Sequence, residues 1–123
     1  MRKQYFFRQS ERGLLAWDVD RLCELSRHLP RKAVPLSQIR ALDESCEGPD
    51  VILTWRQIAA HVRLINEADL SYPIILSASG EVMDGRHRLA KAAMNGCETI
   101  EAVQFDTDPP PDSVGREPDD LPY

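Results

Sequence analysis

The chain has 123 residues, of which 42% are hydrophobic and 28% are charged, a balance typical of one soluble globular domain with a modest core. It has no apolar run long enough to span a membrane and no signal-peptide pattern at its start, so we expect a cytoplasmic protein without a membrane partner. Its three cysteines are widely spaced and form no zinc-type pattern, so no structural metal is expected.

The net charge of −5 is concentrated at the end of the chain. Residues 106–123 contain six acids and one base, which leaves fourteen of each sign in residues 1–105. The same segment holds five of the nine prolines, and we predict that it is a disordered acidic tail. The rest is formally neutral and lacks the basic excess of an autonomous DNA-binding domain, so any recognition of an anion must be local.

Residues 1–32 are interpreted as an N-terminal extension with one helix packed on the domain. Asp18 is suited to cap that helix, which should run to about residue 29 before Pro30 ends it. A short edge strand at residues 33–36 follows. Residues 43–50 are then rich in carboxylates. They can supply a metal ligand or a general base, or they can form a solvated connection.

The next segment predicts a helix with a clear start. Thr54 and Gln57 have the spacing of a capping box, so the helix should begin at Trp55 and run to about Glu67. Its apolar residues recur at helical spacing, which predicts a stripe that faces the core. His61 lies off this stripe and is predicted to be a surface residue.

Residues 73–96 are the stretch around which the rest of the chain is organised. A short apolar strand beginning near Pro73 is followed by a turn at Gly80, a second short strand and a helix that Gly96 ends. The first turn of that helix follows Asp84 and Gly85 and contains Arg86, His87 and Arg88.

Two interpretations of this first turn remain open. The N–H groups and the positive dipole end of a helix N-terminus, with two arginines and a histidine beside them, are suited to bind phosphate. In that case the phosphate- or nucleotide-binding residues are Asp84, Gly85, Arg86, His87 and Arg88. Alternatively, Asp84 caps the helix and the basic residues form a solvated turn.

Residues 73–105 resemble the ParB/sulfiredoxin-like superfamily, and with the Pro-Leu-x-x-Ile pattern beginning at Pro35 the resemblance covers about residues 33–105. It implies a small α+β domain, with a short mixed sheet packed with three main helices and a phosphate pocket at the helix start. Free serine kinases of this superfamily carry Asp-Gly-His-His-Arg, which Asp84, Gly85, His87 and Arg88 match. Proteins with an Asp-Gly-Gln-His-Arg motif match at the same four positions.

Arg86 is where the chain departs from its relatives. ParB proteins have a glutamate at this position, and sulfiredoxins have their catalytic cysteine there. This chain therefore lacks the side chain that each of the two reactions, nucleotide hydrolysis and peroxiredoxin repair, depends on. The resemblance implies a nucleotide- or phosphate-binding domain protein, with Mg²⁺ as the companion of a nucleotide and with hydrolysis or phosphotransfer as its activity. The alternative is a non-catalytic DNA- or partner-binding accessory protein of partition or mobile-element type. The catalytic residues, the nucleotide and the oligomeric state are left open.

Overall fold

A computed structural model describes residues 3–48 and 50–123. Parts of the predicted N-terminal extension (Met1 and Arg2) and of the predicted acidic loop (Pro49) lie outside the described residues. The described residues form a small α+β domain with three α-helices, as the sequence predicted. They contain two sheets, whereas the sequence predicted one. Among the described residues, no helix combines the length and apolar character needed to cross a membrane.

The central sheet has four strands. In chain order they are β3 (Lys32–Pro35), β4 (Ile74–Leu76), β5 (Val82–Asp84) and β6 (Thr99–Gln104). Their order across the sheet is β3-β6-β4-β5, where β4 and β6 are parallel and the two outer pairings are antiparallel. The sheet is therefore mixed, in agreement with the prediction.

Both faces of this sheet are covered. Helix α3 (Arg86–Met94) and the short 3₁₀ turn Leu36–Gln38 cover one face, where Ile74, Leu76 and Val82 are buried. The opposite face carries Ile75, Met83 and Val103 and packs against the N-terminal part of the chain. Since successive strand residues point to opposite faces, the continuous apolar run of β4 reflects burial on both sides.

The N-terminal part contains more structure than the sequence predicted. Strands β1 (Tyr5–Ser10) and β2 (Gly13–Asp18) form an antiparallel hairpin, and α1 (Val19–Ser26) follows directly. Asp18 caps α1 as predicted, since its Oδ1 accepts a hydrogen bond from the Asp20 N–H at 2.9 Å. Hairpin and helix contribute Phe6, Trp17 and Leu22, which pack with Ile75 and Met83 of the central sheet.

Residues 106–123 are docked on this hairpin, whereas the sequence predicted a disordered tail. Their strand β7 (Ser113–Val114) pairs with β2, and Leu121 is only 5% exposed. The indole N–H of Trp17 donates to the Pro109 carbonyl at 2.8 Å, and Asp108 forms an ion pair with Arg8 at 3.1 Å. The prediction of disorder was based on the low apolar content of this segment. Composition does not show that its carboxylates and carbonyls find partners in distant parts of the chain.

Helix α2 (Trp55–Glu67) begins where the capping box predicted. The Thr54 hydroxyl accepts from the Gln57 N–H at 3.2 Å, and the Gln57 side-chain oxygen accepts from the Thr54 N–H at 2.8 Å. The prediction that its apolar stripe faces the core is wrong, because no residue of α2 is buried. The helix contacts α3 along a line where His61, Ile65 and the C-cap residue Ala68 are partly covered. Of the predicted stripe, Ile65 is partly covered, whereas Trp55, Ile58, Ala59 and Val62 are exposed.

Candidate functional site

Gly85 creates the turn between β5 and α3. It has φ +107° and is the N-cap residue of α3, in a backbone conformation that glycine adopts without steric cost. A Cβ atom at this position would lie 2.6 Å from Cγ2 of Ile74, which is fully buried in β4. The glycine is thus required both by the backbone angle and by close packing of the turn against the sheet.

Asp84 and Arg88 form a clamp across this turn. Arg88 donates through Nη2 to Oδ2 of Asp84 at 2.8 Å and through Nη1 to the Pro73 carbonyl at 2.8 Å. Their side chains are 17% (Arg88) and 20% (Asp84) exposed. The interpretation of Asp84 as the cap of α3 is wrong, because Gly85 occupies the N-cap position and the Asp84 carboxylate pairs with Arg88 instead. The Arg88 guanidinium therefore links the start of α3 to Pro73, the residue that precedes β4.

The first turn of α3 has unpaired donors. The first backbone bond of the helix runs from the Leu89 N–H to the Gly85 carbonyl at 2.9 Å, so the N–H groups of Arg86, His87 and Arg88 precede the intrahelical pattern. No side chain among the described residues caps this end. It therefore presents donors and a partial positive charge, and the exposed Arg86 adds a full one.

A cleft of about 520 Å³ opens beside this helix end. One wall is α3, through Arg86, Leu89 and Ala90, and another is β1, through Tyr5 and Phe7. The third wall is the segment from Ala41 to Gly48, which includes Glu44 and Glu47. Of the five predicted site residues, Arg86 is the one that lines the cleft, while the other four lie in the turn beside it.

His87 belongs to a hydrogen-bonded chain that the sequence did not reveal. Its Nε2 lies 2.9 Å from Nδ1 of His61 in α2, and Nε2 of His61 lies 2.9 Å from Oε1 of Glu47. His61, which the sequence predicted to be a surface residue, is only partly exposed, since 27% of its side chain is accessible and it contacts both partners. His61 and His87 are 26 positions apart and lie in separate helices, so no local sequence pattern predicts their contact.

The environment of His87 keeps its imidazole neutral. Burial lowers the pKa of His87 below its ordinary value of 6.5, the neighbouring His61 lowers it further, and the Glu47 carboxylate acts in the opposite direction. The three side chains do not converge on one point, because His61 uses opposite ring nitrogens for its two contacts. Accordingly, no group of three or more His, Cys, Asp or Glu side chains in the described part of the chain is arranged to hold a metal ion.

Comparisons with protein-family models, with curated proteins and with solved structures find no match to this chain. The resemblance to ParB/sulfiredoxin-like proteins therefore rests on the residues quoted for it above.

Proposed function

We propose that this chain is a small nucleotide- or phosphate-binding domain protein whose ligand phosphate sits at the start of α3. The observation that carries the proposal is a helix N-terminus without a side-chain cap, next to an exposed arginine that lines a cleft. Such helix ends bind anions through N–H groups and the helix dipole. The cleft volume of about 520 Å³ falls within the range of small-molecule sites.

The residues divide into two roles in this proposal. Arg86 and the backbone N–H groups of the first turn contact the phosphate. Asp84, Gly85 and Arg88 hold that turn in place through the clamp and the close packing on Ile74. The resemblance, which matches Asp84, Gly85, His87 and Arg88, implies instead that the side chains of His87 and Arg88 hold the phosphate. We assign the contact to Arg86 because Arg88 is bonded to Asp84 and Pro73 and His87 contacts His61.

The acidic wall of the cleft favours a metal-complexed nucleotide over a bare one. Glu44 and Glu47 line the same cleft as Arg86, and their carboxylates would repel an uncompensated polyphosphate. Mg²⁺ binds through phosphate oxygens together with one or two carboxylates. A nucleotide carrying Mg²⁺ therefore fits the charges of this cleft.

Arg86→Ala is expected to weaken nucleotide binding by roughly 10- to 100-fold, the loss that follows removal of a hydrogen bond to a charged group. Titration calorimetry with ATP, ADP and CTP, each with and without Mg²⁺, measures this. Arg116→Ala is the matched control, because Arg116 is an exposed arginine that is not among the residues lining the cleft. Absence of binding at millimolar nucleotide, or equal losses in the two variants, would contradict the proposal.

A second candidate function is non-catalytic binding of a partner protein through α2. Ile52, Trp55 and Val62 are 92%, 85% and 48% exposed, and exposed apolar patches of this kind mark interaction sites. Arg56 and Arg63 are also exposed on this helix, and neither forms an ion pair with any described residue. This surface fits a helix with an apolar stripe and an acidic border. DNA is less favoured, since residues 1–105 carry no net positive charge.

Trp55→Ser is expected to abolish binding of a synthetic amphipathic helix whose apolar stripe is bordered by glutamates. The variant should change the free energy of unfolding by less than about 0.5 kcal/mol, because surface substitutions rarely cost more. Fluorescence anisotropy of the labelled peptide measures binding, and Tyr72→Ser, which removes another exposed aromatic residue outside α2, is the control. Equal binding of a lysine-bordered peptide, or self-association of the protein that Trp55→Ser removes, would overturn the acidic-partner proposal.

A further inference from the structure

Helix α2 lies on the surface of the fold and packs mainly against α3. At its C-terminal end, Nζ of Lys91 in α3 donates to the carbonyls of Asn66 and Ala68 at 3.0 and 2.6 Å. In its middle, Nδ1 of His61 lies 2.9 Å from Nε2 of His87 in α3. Since no residue of α2 is buried, these polar contacts are important for holding the helix in place.

The contact between the two imidazole rings limits how many protons they hold. Nitrogens 2.9 Å apart form a hydrogen bond only if one donates and the other accepts. When both rings are neutral, His61 donates through Nε2 to the Glu47 carboxylate, 2.9 Å away, and accepts from His87 at Nδ1. One additional proton on His61 lets it donate to both partners. When His87 is protonated as well, both facing nitrogens carry hydrogen and the two cations repel each other.

We propose that His61 and His87 form a pH-sensitive latch between α2 and α3, which opens when both rings are protonated. In the open state the part of α2 that precedes the latch separates from α3, while Lys91 still holds the C-terminal end. Glu47 lies in the segment that leads to α2 and lines the cleft, so opening also releases one wall of the cleft. The latch is formed by contacts within the chain and requires no ligand.

The groups around His87 make its protonation unfavourable while the latch is closed. Burial lowers the pKa of His87, His61 of α2 lowers it further, and Glu47 of the preceding loop acts in the opposite direction. Other charged residues of α3 and of the short turn that packs against it are not among the described groups that shift this pKa: Arg40, Asp43, Arg86, Arg88 and Lys91. The pKa of His87 is therefore set by its burial and by the two side chains of the same hydrogen-bonded chain.

The pH range of the latch follows from comparing its two states. In the open state His87 is solvated and has its ordinary pKa of 6.5, whereas in the closed state its pKa is lower. The open state therefore binds more protons. The closed state is fully favoured above the ordinary pKa and loses stability as the pH falls from there to the lowered pKa. Because one proton is taken up by His87 on opening, the opening constant should rise by at most about 10-fold per pH unit in this range.

Amide hydrogen exchange, followed by NMR on the full chain without ligand between about pH 7.5 and about pH 5, tests the latch. Each rate is divided by the intrinsic rate at the same pH, so that only changes in protection are compared. In the wild type we expect the protection of residues 58–64 of α2 to fall by roughly 10-fold on acidification, while the amides of α1 keep theirs. Constant protection of α2 would overturn the proposal. So would a parallel loss in α1, because it would mean that acid unfolds the whole domain.

His87→Gln tests which group is responsible. Glutamine stays neutral and can still donate to His61 or accept from it, so the protection of α2 should no longer depend on pH in this range. His28→Gln is the matched control, because His28 is an exposed histidine that follows α1, and it should keep the wild-type pH dependence. Loss of that dependence in both variants, or in neither, would contradict the latch.

The ring nitrogens of the wild type provide a check that needs no substitution. Nitrogen-15 chemical shifts report the protonation of each imidazole directly. His87 should gain its proton within the pH range over which α2 loses protection. Protonation of His87 outside that range would show that the ring contact does not hold α2 on α3.

Discussion

Gly85→Ala is expected to lower the free energy of unfolding by about 2 to 5 kcal/mol. Two costs combine at this position. The backbone angle φ of +107° is unfavourable for an L-residue by about 1 to 2 kcal/mol. The new Cβ would also meet Ile74 Cγ2 at 2.6 Å, and overpacking of this kind costs about 1 to 3 kcal/mol. Urea denaturation followed by circular dichroism measures the sum.

Gly80→Ala is the control that separates the two costs. Gly80 also has a positive φ, +91°, but a Cβ there has no atom within 4 Å. It should therefore show the backbone cost alone, of about 1 to 2 kcal/mol. Equal losses in the two variants would mean that the turn moves away from β4 without penalty, and that the close packing of Gly85 does not hold the start of α3 in place.

The features that sequence predicted correctly are encoded by residues close together in the chain. The capping box of Thr54 and Gln57 predicted the first residue of α2, and the structure confirms it. Asp18 was correctly identified as the cap of α1. Gly96 follows the last turn of α3 with φ +75°, in the left-handed conformation expected past a helix end. Each signal acts within a few residues, where spacing is enough to identify the partner.

The features that sequence missed depend on partners far away in the chain. Periodicity showed which apolar residues of α2 share a face, but it does not say whether anything covers that face. The same limit applies to the tail, whose Asp108 pairs with Arg8 across 100 positions. Asp84 illustrates a competition between local rules, because an aspartate before a helix favours capping, whereas Arg88 four residues later favours an ion pair. Because Gly85 adopts the left-handed conformation and takes the N-cap position, the Asp84 carboxylate does not cap α3 and pairs with Arg88.

Arg88→Ala is expected to lower the free energy of unfolding by about 2 to 4 kcal/mol. The substitution removes the bonds to Asp84 and to the Pro73 carbonyl, and it leaves a mostly covered carboxylate without its partner. Asp84→Ala should cost less, because Arg88 retains its bond to Pro73. Denaturation of both single variants and the double variant forms a cycle, in which we expect a coupling energy of about 1 to 2 kcal/mol.

Comparison with Arg86→Ala distinguishes the clamp from the ligand contact. Arg86 is exposed, so its loss should leave the free energy of unfolding within about 0.5 kcal/mol of the wild type while nucleotide affinity falls. Arg88→Ala should show the opposite pattern. Its main effect should be on the free energy of unfolding, and nucleotide affinity should fall only to the extent that the turn is displaced. Arg88→Lys should restore little, because an ammonium group cannot reach Asp84 and Pro73 with the fixed geometry of a guanidinium. If Arg88→Ala kept full stability and abolished nucleotide binding, the guanidinium would be a ligand contact and the division of roles between Arg86 and Arg88 would be reversed.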